Sequence, residues 1–336
     1  MGTKVTMRDV AKAAGVSPMT VSRAFKEDAS VNAATRAIVQ EAADRLGYVY
    51  DTTAQAFRAQ RSGFLAVTLP SINNANFAST HRALTQALAG SDLQLLLGIT
   101  NYRVDEEERH VRQLLARRPE AIVLTGGHHT EATRKLLSAM DVPVVEIWDL
   151  PADPIGHVVG FSNADAMHLV VDHLVATGRK NLGFLGAQGD TDKRGADRRQ
   201  GVLDAAQRHG LPDVILLDAG AAPMSMSNGA EAVNGQIDLI RDLDALICVS
   251  DPVAFGAIMA LQKLGINVPN DIAVTGFGAF EIASISTPSI TTVNVGADQI
   301  GERAGALIDR VLNGDLANDD GITTKVTPKL VRGQSA

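Results

Sequence analysis

Met19, Thr20, Ser22 and Arg23 share one face of a short segment whose other face carries Val21, Ala24 and Phe25. That polar face offers a thioether, hydroxyls and a guanidinium. A helix bearing such groups fits the major groove of DNA, which is just wide enough to admit it and exposes hydrogen-bonding base edges there. The flanking sequence supplies what must hold the face in place. Ser17 is a good N-cap, and Pro18 suits the first helical position because its missing N–H costs nothing there. Upstream, Val10, Ala11 and Ala14 recur on one face of a first helix capped by Thr6, and Gly15 provides the turn that Val16 plugs. Asn32 caps a third helix, with Ile38, Val39, Ala42 and Leu46 at helical spacing and Gly47 as its stop. The expected unit is an α-helical helix-turn-helix head over residues 1–50.

The chain has 336 residues, enough for two or three domains, and a formal charge of −7. That charge argues against a nucleic-acid protein until it is divided along the sequence. Residues 1–62 hold nine Lys or Arg against six acids, which leaves 22 bases against 32 acids for the rest. A basic head on an acidic body fits phosphate contact by one end only. Cys248 is the sole cysteine and sits in an apolar run, so it reads as a buried hydrophobe and neither a disulfide framework nor a thiolate metal site is expected. The start is too polar for a secretory signal, and no apolar run reaches membrane-spanning length. A cytoplasmic protein without membrane association is expected.

Residues 51–62 form a linker with a cap, several alanines and one large apolar residue, Phe57. So short a helix is marginal in water until something packs on it, which makes the segment a candidate switch. From Phe64 onward, strand-like runs (64–69, 93–99, 121–124, 142–147, 158–161, 182–185, 214–217, 245–249, 272–277 and 291–295) alternate with amphipathic segments such as 106–115, 164–175, 201–209 and 253–264. Such alternation implies parallel sheets covered by helices, and so many strands favour two α/β subdomains with a ligand crevice between them.

Over essentially its whole length the chain resembles the LacI (lactose-repressor) family of bacterial regulators. The motifs that carry the likeness are Asp9-Val-Ala-Lys-Ala-Ala-Gly-Val-Ser-Pro-Met-Thr-Val-Ser-Arg23, the stretch Arg36 to Tyr48, Asp251-Pro-Val-Ala-Phe-Gly256 and Val268-Pro-Asn-Asp-Ile-Ala-Val-Thr-Gly-Phe277. Leu69 to Phe77, Val142 to Asp149 and Val159 to Asn163 look most like the gluconate-repressor branch. The resemblance implies a core similar to periplasmic sugar-binding proteins, of two parallel-sheet subdomains (63–161 plus 291–321, and 162–290 plus 322–336) with chain crossings near Ser162, Ile290 and Ile322. It also implies a homodimer on palindromic operator DNA and a small-molecule effector, with no cofactor. No leucine heptad follows the core to make a tetramer.

By the same resemblance, Pro18, Met19 and Arg23 read bases. Arg23 has the fork for a guanine edge, and Met19 can offer apolar contact to a thymine methyl. Thr6, Ser17, Thr20, Ser22 and Asn32 then serve as phosphate or capping groups, which position without specifying. Phe57 takes the place of a minor-groove wedge. The Pro-Asn pair usual before the hinge is here Tyr50-Asp51.

The resemblance places the effector among Asn74, Phe77, Asp149, Phe161, Arg198, Met224, Ser250 and Asp251. Asp149 and Asp251 can accept from hydroxyls or instead cap helices, the two phenyl rings offer apolar walls, and Arg198 can bind a hydroxyl pair or a carboxylate. Gly278 stands where several relatives have an aspartate, and Ser250 where an asparagine is common. Losing an anion makes an anionic effector easier to accept, so a sugar acid such as gluconate is favoured over a neutral sugar.

Other functions lack their chemistry. An enzyme would need a nucleophile with its base, a phosphate loop or a metal set, and His128-His129 has no further ligand nearby in sequence. Gly276-Phe-Gly278 and Gly186-Ala-Gln-Gly189 do not complete a dinucleotide fingerprint. A transport binding protein is opposed by the basic head and the missing signal. Whether the effector releases or promotes DNA binding, and whether the protein represses or activates, is left open by the residues.

Overall fold

The computed structural model describes residues 5–26, 30–50, 62–189 and 191–336. The chain divides into two compact units, Met1–Ser62 and Gly63–Ala336.

In the first unit, α1 (Met7–Ala14), α2 (Pro18–Phe25) and α3 (Ala33–Leu46) enclose a small core that includes Val10, Val21, Ala24, Val39 and Ala43. The helix ends follow from local chemistry. The Asp9 carboxylate accepts from the Thr6 N–H (2.9 Å) and hydroxyl (2.7 Å), and these bonds hold its pKa below the usual carboxylate range. Gly15, at φ 67°, ends α1 in the left-handed conformation that glycine adopts without steric cost. Ser17 Oγ accepts the Thr20 N–H (3.1 Å), and Asn32 Oδ1 accepts the Thr35 N–H (2.8 Å). Of the linker expected over 51–62, residues 51–61, Phe57 among them, lie outside the described residues.

In the second unit, a six-stranded parallel sheet runs in the order β11-β5-β4-β3-β1-β2, built from β1 (Phe64–Leu69), β2 (Gln94–Ile99), β3 (Ala121–Thr125), β4 (Val144–Ile147), β5 (His157–Gly160) and β11 (Thr323–Lys325). The interleaved helices are α4 (Ala75–Ala87), α5 (Val104–Leu115) and α6 (Glu131–Ser138). A second parallel sheet, β7-β6-β8-β9, uses β6 (Leu182–Gly186), β7 (Ile215–Asp218), β8 (Ala245–Cys248) and β9 (Ala273–Thr275). Around it lie α7 (Asn163–Ala176), α8 (Lys193–Arg208), α9 (Met226–Gly235), α10 (Ile237–Ile240), α11 (Asp251–Lys263) and α12 (Glu281–Ile285). The central strands β3, β6 and β8 are buried along their whole length, as unbroken apolar runs in a helix-covered parallel sheet must be.

The chain passes between the sheets after β5, after β10 (Thr292–Asn294), where α13 (Ala297–Leu312) returns to pack on α4, and between β11 and β12 (Lys329–Val331). The last two crossings fall beyond Ile290 and Ile322. Thr291 bridges Thr275 beside β9, and β11 pairs in parallel with β5. Residues 291–294 therefore side with the second subdomain and 323–325 with the first, which corrects both expected boundaries. Backbone pairing decides this, because these short strands carry little apolar signal.

The loop after β3 is fixed by a buried ion cluster. His129 lies between α5 and β4, its Nδ1 donating to Glu107 Oε1 at 2.5 Å and its Nε2 to Glu146 Oε1 at 3.3 Å, and its side chain is fully buried. Burial pulls the imidazole toward neutrality, yet its bonds to the two carboxylates outweigh that and push its pKa up to about 9. Glu146 also accepts the Ile155 N–H at 2.6 Å. His129→Ala would leave two buried carboxylates without their cation, and breaking a buried pair in this way costs about 3–5 kcal/mol. Urea denaturation is expected to show that loss; an unchanged midpoint would refute the account.

Candidate functional site

The carboxyl ends of both sets of strands open into one crevice of about 840 Å³ empty volume within the second unit. From the first subdomain, the segment after β1 supplies Ser71, Asn73 and Asn74, and the first turn of α4 supplies Asn76 and Phe77. Asn74 caps α4 by accepting the Asn76 N–H at 3.0 Å. Tyr102 follows β2 and Trp148 follows β4, and both hold positive φ (64° and 74°), a conformation uncommon for bulky residues. Phe77 meets the Trp148 ring edge-on with centroids 5.0 Å apart. Asn163, at the first crossing, donates to the Trp148 carbonyl at 3.3 Å.

The second subdomain contributes the charge. Arg194 and Arg198 lie one turn apart on α8, so both point to the same side of the helix. The Arg194 guanidinium sits 5.4 Å from the Phe77 centroid and 6.0 Å from that of Tyr102, and donates to the Thr125 carbonyl at 3.1 Å. Arg198 covers Phe277 at 4.6 Å. Its nearest carboxylate is Asp192 at 3.8 Å, and its Nε is buried without a hydrogen-bond partner among the described residues. Burial draws the Arg198 pKa down, Asp192 raises it and Arg194 lowers it again, although a guanidinium stays charged throughout. Burial likewise raises the Tyr102 phenol. Two guanidiniums thus face one carboxylate across a lining that otherwise includes amides, hydroxyls, aromatic rings and a few aliphatic side chains such as Met224 and Val249. An anion with several hydroxyls matches that set.

Of the expected effector residues, Asn74, Phe77, Arg198, Met224 and Ser250 line the crevice. Phe161, Asp149 and Asp251 do not, and each is displaced for a physical reason. Phe161 is fully buried behind Trp148 and Phe277, at 6.0 and 6.3 Å. Asp149 faces the neighbouring cavity beside His128, where burial, reinforced by Asp197, raises its carboxyl while Arg194 opposes. Asp251 opens α11 beneath the floor and accepts the Phe280 N–H at 2.7 Å. Gly278 lines the crevice at φ 118°, and a Cβ there would meet the Phe280 ring and the Asn76 amide, so the loop has no room for a side chain. Sequence reasoning missed Arg194, Asp192, Tyr102 and Trp148. The repeat of arginine at 194 and 198 was the available signal.

In the head, Ser17, Pro18, Met19 and Arg23 are exposed, Met19 by 64%, while Thr20 and Ser22 are half-buried. Of the outward face predicted for α2, Met19 and Arg23 are thus the exposed members. Ser17, Thr20 and Asn32 are engaged in capping, as is Thr6. Tyr50, which replaces the usual proline, stacks on Phe25 at 4.9 Å with its ring nearly parallel, and its hydroxyl reaches Ser22 Oγ at 3.5 Å.

The comparisons agree with this division. Residues 6–51 match the family described as bacterial regulatory proteins, lacI family, and residues 171–336 a periplasmic binding protein-like domain. The HTH-type transcriptional regulator GntR of Pseudomonas aeruginosa is 32% identical over 94% of this chain and 92% of its own. A solved LacI-family transcriptional regulator from Silicibacter pomeroyi superposes with a TM-score of 0.90 at 31% identity, covering 98% of this chain and 99% of its own. The lac repressor dimer bound to operator shares the fold, with a TM-score of 0.81 at 23% identity over 99% of both chains. The chain belongs to the lacI family: it is a DNA-binding transcriptional regulator and not an enzyme. Among the described residues no helix is long and apolar enough to cross a membrane.

Asp251 makes the support beneath the crevice pH-sensitive. Burial pushes its carboxyl up to about 6, against hydrogen bonds from Thr292 and Phe280 that lower it. Because the folded pKa is raised, the unfolded chain ionises first as pH climbs from about 4 to 6, and folding loses about 3 kcal/mol across that window. Asp251→Asn keeps an acceptor for Phe280 and does not titrate. Denaturation at pH 4 and pH 7 is expected to show the variant gaining on the wild type as pH rises; a constant difference would contradict it.

Proposed function

We propose that this regulator binds an open-chain sugar acid such as gluconate in the crevice, and that the bound acid weakens repression at a palindromic operator. The observation that carries this is the pairing of Arg194 and Arg198 with a single carboxylate in the lining. The guanidiniums hold the ligand carboxylate, Asn73, Asn74, Asn76, Asn163, Ser71 and Ser250 address its hydroxyls, and Phe77, Trp148 and Phe277 cover its C–H faces. The likeness to the gluconate-repressor branch over Leu69 to Phe77 and Val142 to Asp149 supports the same ligand class, as does a relative named GntR. In the head, Arg23 reads a guanine, with Pro18 and Met19 narrowing the adjacent bases. Two chains pair so that two heads meet the two half-sites, in the cytoplasm.

Calorimetry is expected to show saturable binding of gluconate and none of glucose. Hydrogen bonds to charged groups are worth about 1.5–3 kcal/mol, so Arg194→Met and Arg198→Met should each weaken gluconate at least tenfold. Binding of neutral sugars with none of aldonates would end the proposal. On operator DNA, adding gluconate to a gel-shift titration is expected to release the protein. Arg23→Ala is expected to lose about 1–3 kcal/mol of discrimination at one base pair. Equal loss on every sequence would reassign Arg23 to phosphate contact.

A further inference from the structure

We infer that His128, Asp149 and Asp197 form a divalent-cation site that bridges the two core subdomains at the edge of the effector crevice. His128 lies in the loop after β3 and Asp149 in the loop after β4, both in the first subdomain, whereas Asp197 stands on α8 of the second. One ligand atom from each lies within 4.8 Å of the others, and His128 Nε2 is 3.5 Å from Asp197 Oδ2. The three are distant in sequence, so no spacing motif announces them.

One imidazole nitrogen and two carboxylate oxygens are the donor set of a borderline cation such as Zn²⁺, with water completing the shell. Zinc–ligand distances of about 2.0–2.2 Å place neighbouring donors about 3.4 Å apart, so small side-chain movements close this set on an ion. Access and anchoring are both present. His128 and Asp197 are half-exposed, Asp149 is buried, and all three line a cavity that also includes Ser162 and Asn163 at the first chain crossing. His129, clamped between Glu107 and Glu146, fixes the backbone that presents His128. Lys193 and Arg194 act on the same groups and oppose a cation, which weakens its binding. An ion held from both subdomains restrains the angle between them.

The test is calorimetric titration of chelator-treated, full-length protein with ZnCl₂ at pH 7.5. One Zn²⁺ per chain is expected, with His128→Ala and Asp197→Asn each weakening it at least tenfold. Both sites of substitution are half-exposed, so the variants should keep the wild-type circular dichroism and melting midpoint; if either fails to fold, the other carries the test. His209→Ala, which removes a surface histidine 2.6 Å from Asp172, serves as control and should leave the binding intact. Zinc-edge absorption of the loaded wild type is expected to show one nitrogen and at least two oxygen donors. No saturable binding, or binding that survives both His128→Ala and Asp197→Asn, overturns the assignment.

Discussion

The core depends on the Arg194 guanidinium, which is at once a wall of the crevice and a strut across it. From α8 it donates to the Thr125 carbonyl at the end of β3, joining the two subdomains, while its plane lies near Phe77 and Tyr102. A charged group so placed has been taken from water, and a neutral carbonyl with two ring faces returns only part of that hydration energy. Asn76 donating to Gly278 at 2.8 Å and His128 facing Asp197 at 3.5 Å are further polar contacts across the same gap. These polar contacts lie beside the apolar contact of Phe161 with Phe277, which also spans the two subdomains. A ligand that interacts differently with such contacts in two arrangements shifts the balance between them.

Close packing sets where each subdomain is rigid. Gly201 on α8 lies so near Ala164 of α7 that a Cβ would strike its backbone, and Gly301 on α13 meets Thr80 of α4 in the same way. These helix pairs are fixed by backbone approach and cannot slide without steric cost. The chain joins the two subdomains at three crossings, which lie outside these helix pairs. The head uses different means at smaller scale: caps at Thr6, Ser17 and Asn32 set the helix ends, and a core of small and β-branched residues sets their angles.

The sequence made the fold legible wherever burial demanded continuous apolar runs. β1 is read at its observed bounds, Phe64–Leu69, and β2, β3, β6 and β8 within a residue at either end. β11, Thr-Thr-Lys, was invisible because an edge strand of three polar residues has neither an apolar run nor a clear alternation. The start of α8 was placed at Gly201, eight residues late, since Lys-Arg-Gly-Ala-Asp-Arg-Arg carries no apolar period. That single error hid Arg194: only when the helix begins at Lys193 do residues 194 and 198 share a face. Asp149 and Asp251 lie outside the crevice lining for another reason. Both have the right chemistry at strand ends, but the direction of a side chain there depends on packing that no local pattern encodes.

The like charges at Arg194 and Arg198 also bear on how binding could change the angle between subdomains. Burial and Arg194 draw the Arg198 pKa down, Asp192 and Asp197 oppose them, and Asp192 is the one carboxylate among the described lining residues. Bringing the crevice walls together around water alone therefore lowers the local dielectric around two like charges that α8 holds one turn apart, which is unfavourable. The sugar acid we propose adds the missing negative charge, and its contribution grows as the walls approach, because screening by water falls away. That dependence on closure is the difference in interaction free energy that any ligand-driven switch requires. A neutral sugar of the same shape would form its hydroxyl contacts without cancelling the repulsion. On the proposed function, the excess of guanidinium over carboxylate in the crevice would both select the ligand and link its binding to subdomain closure.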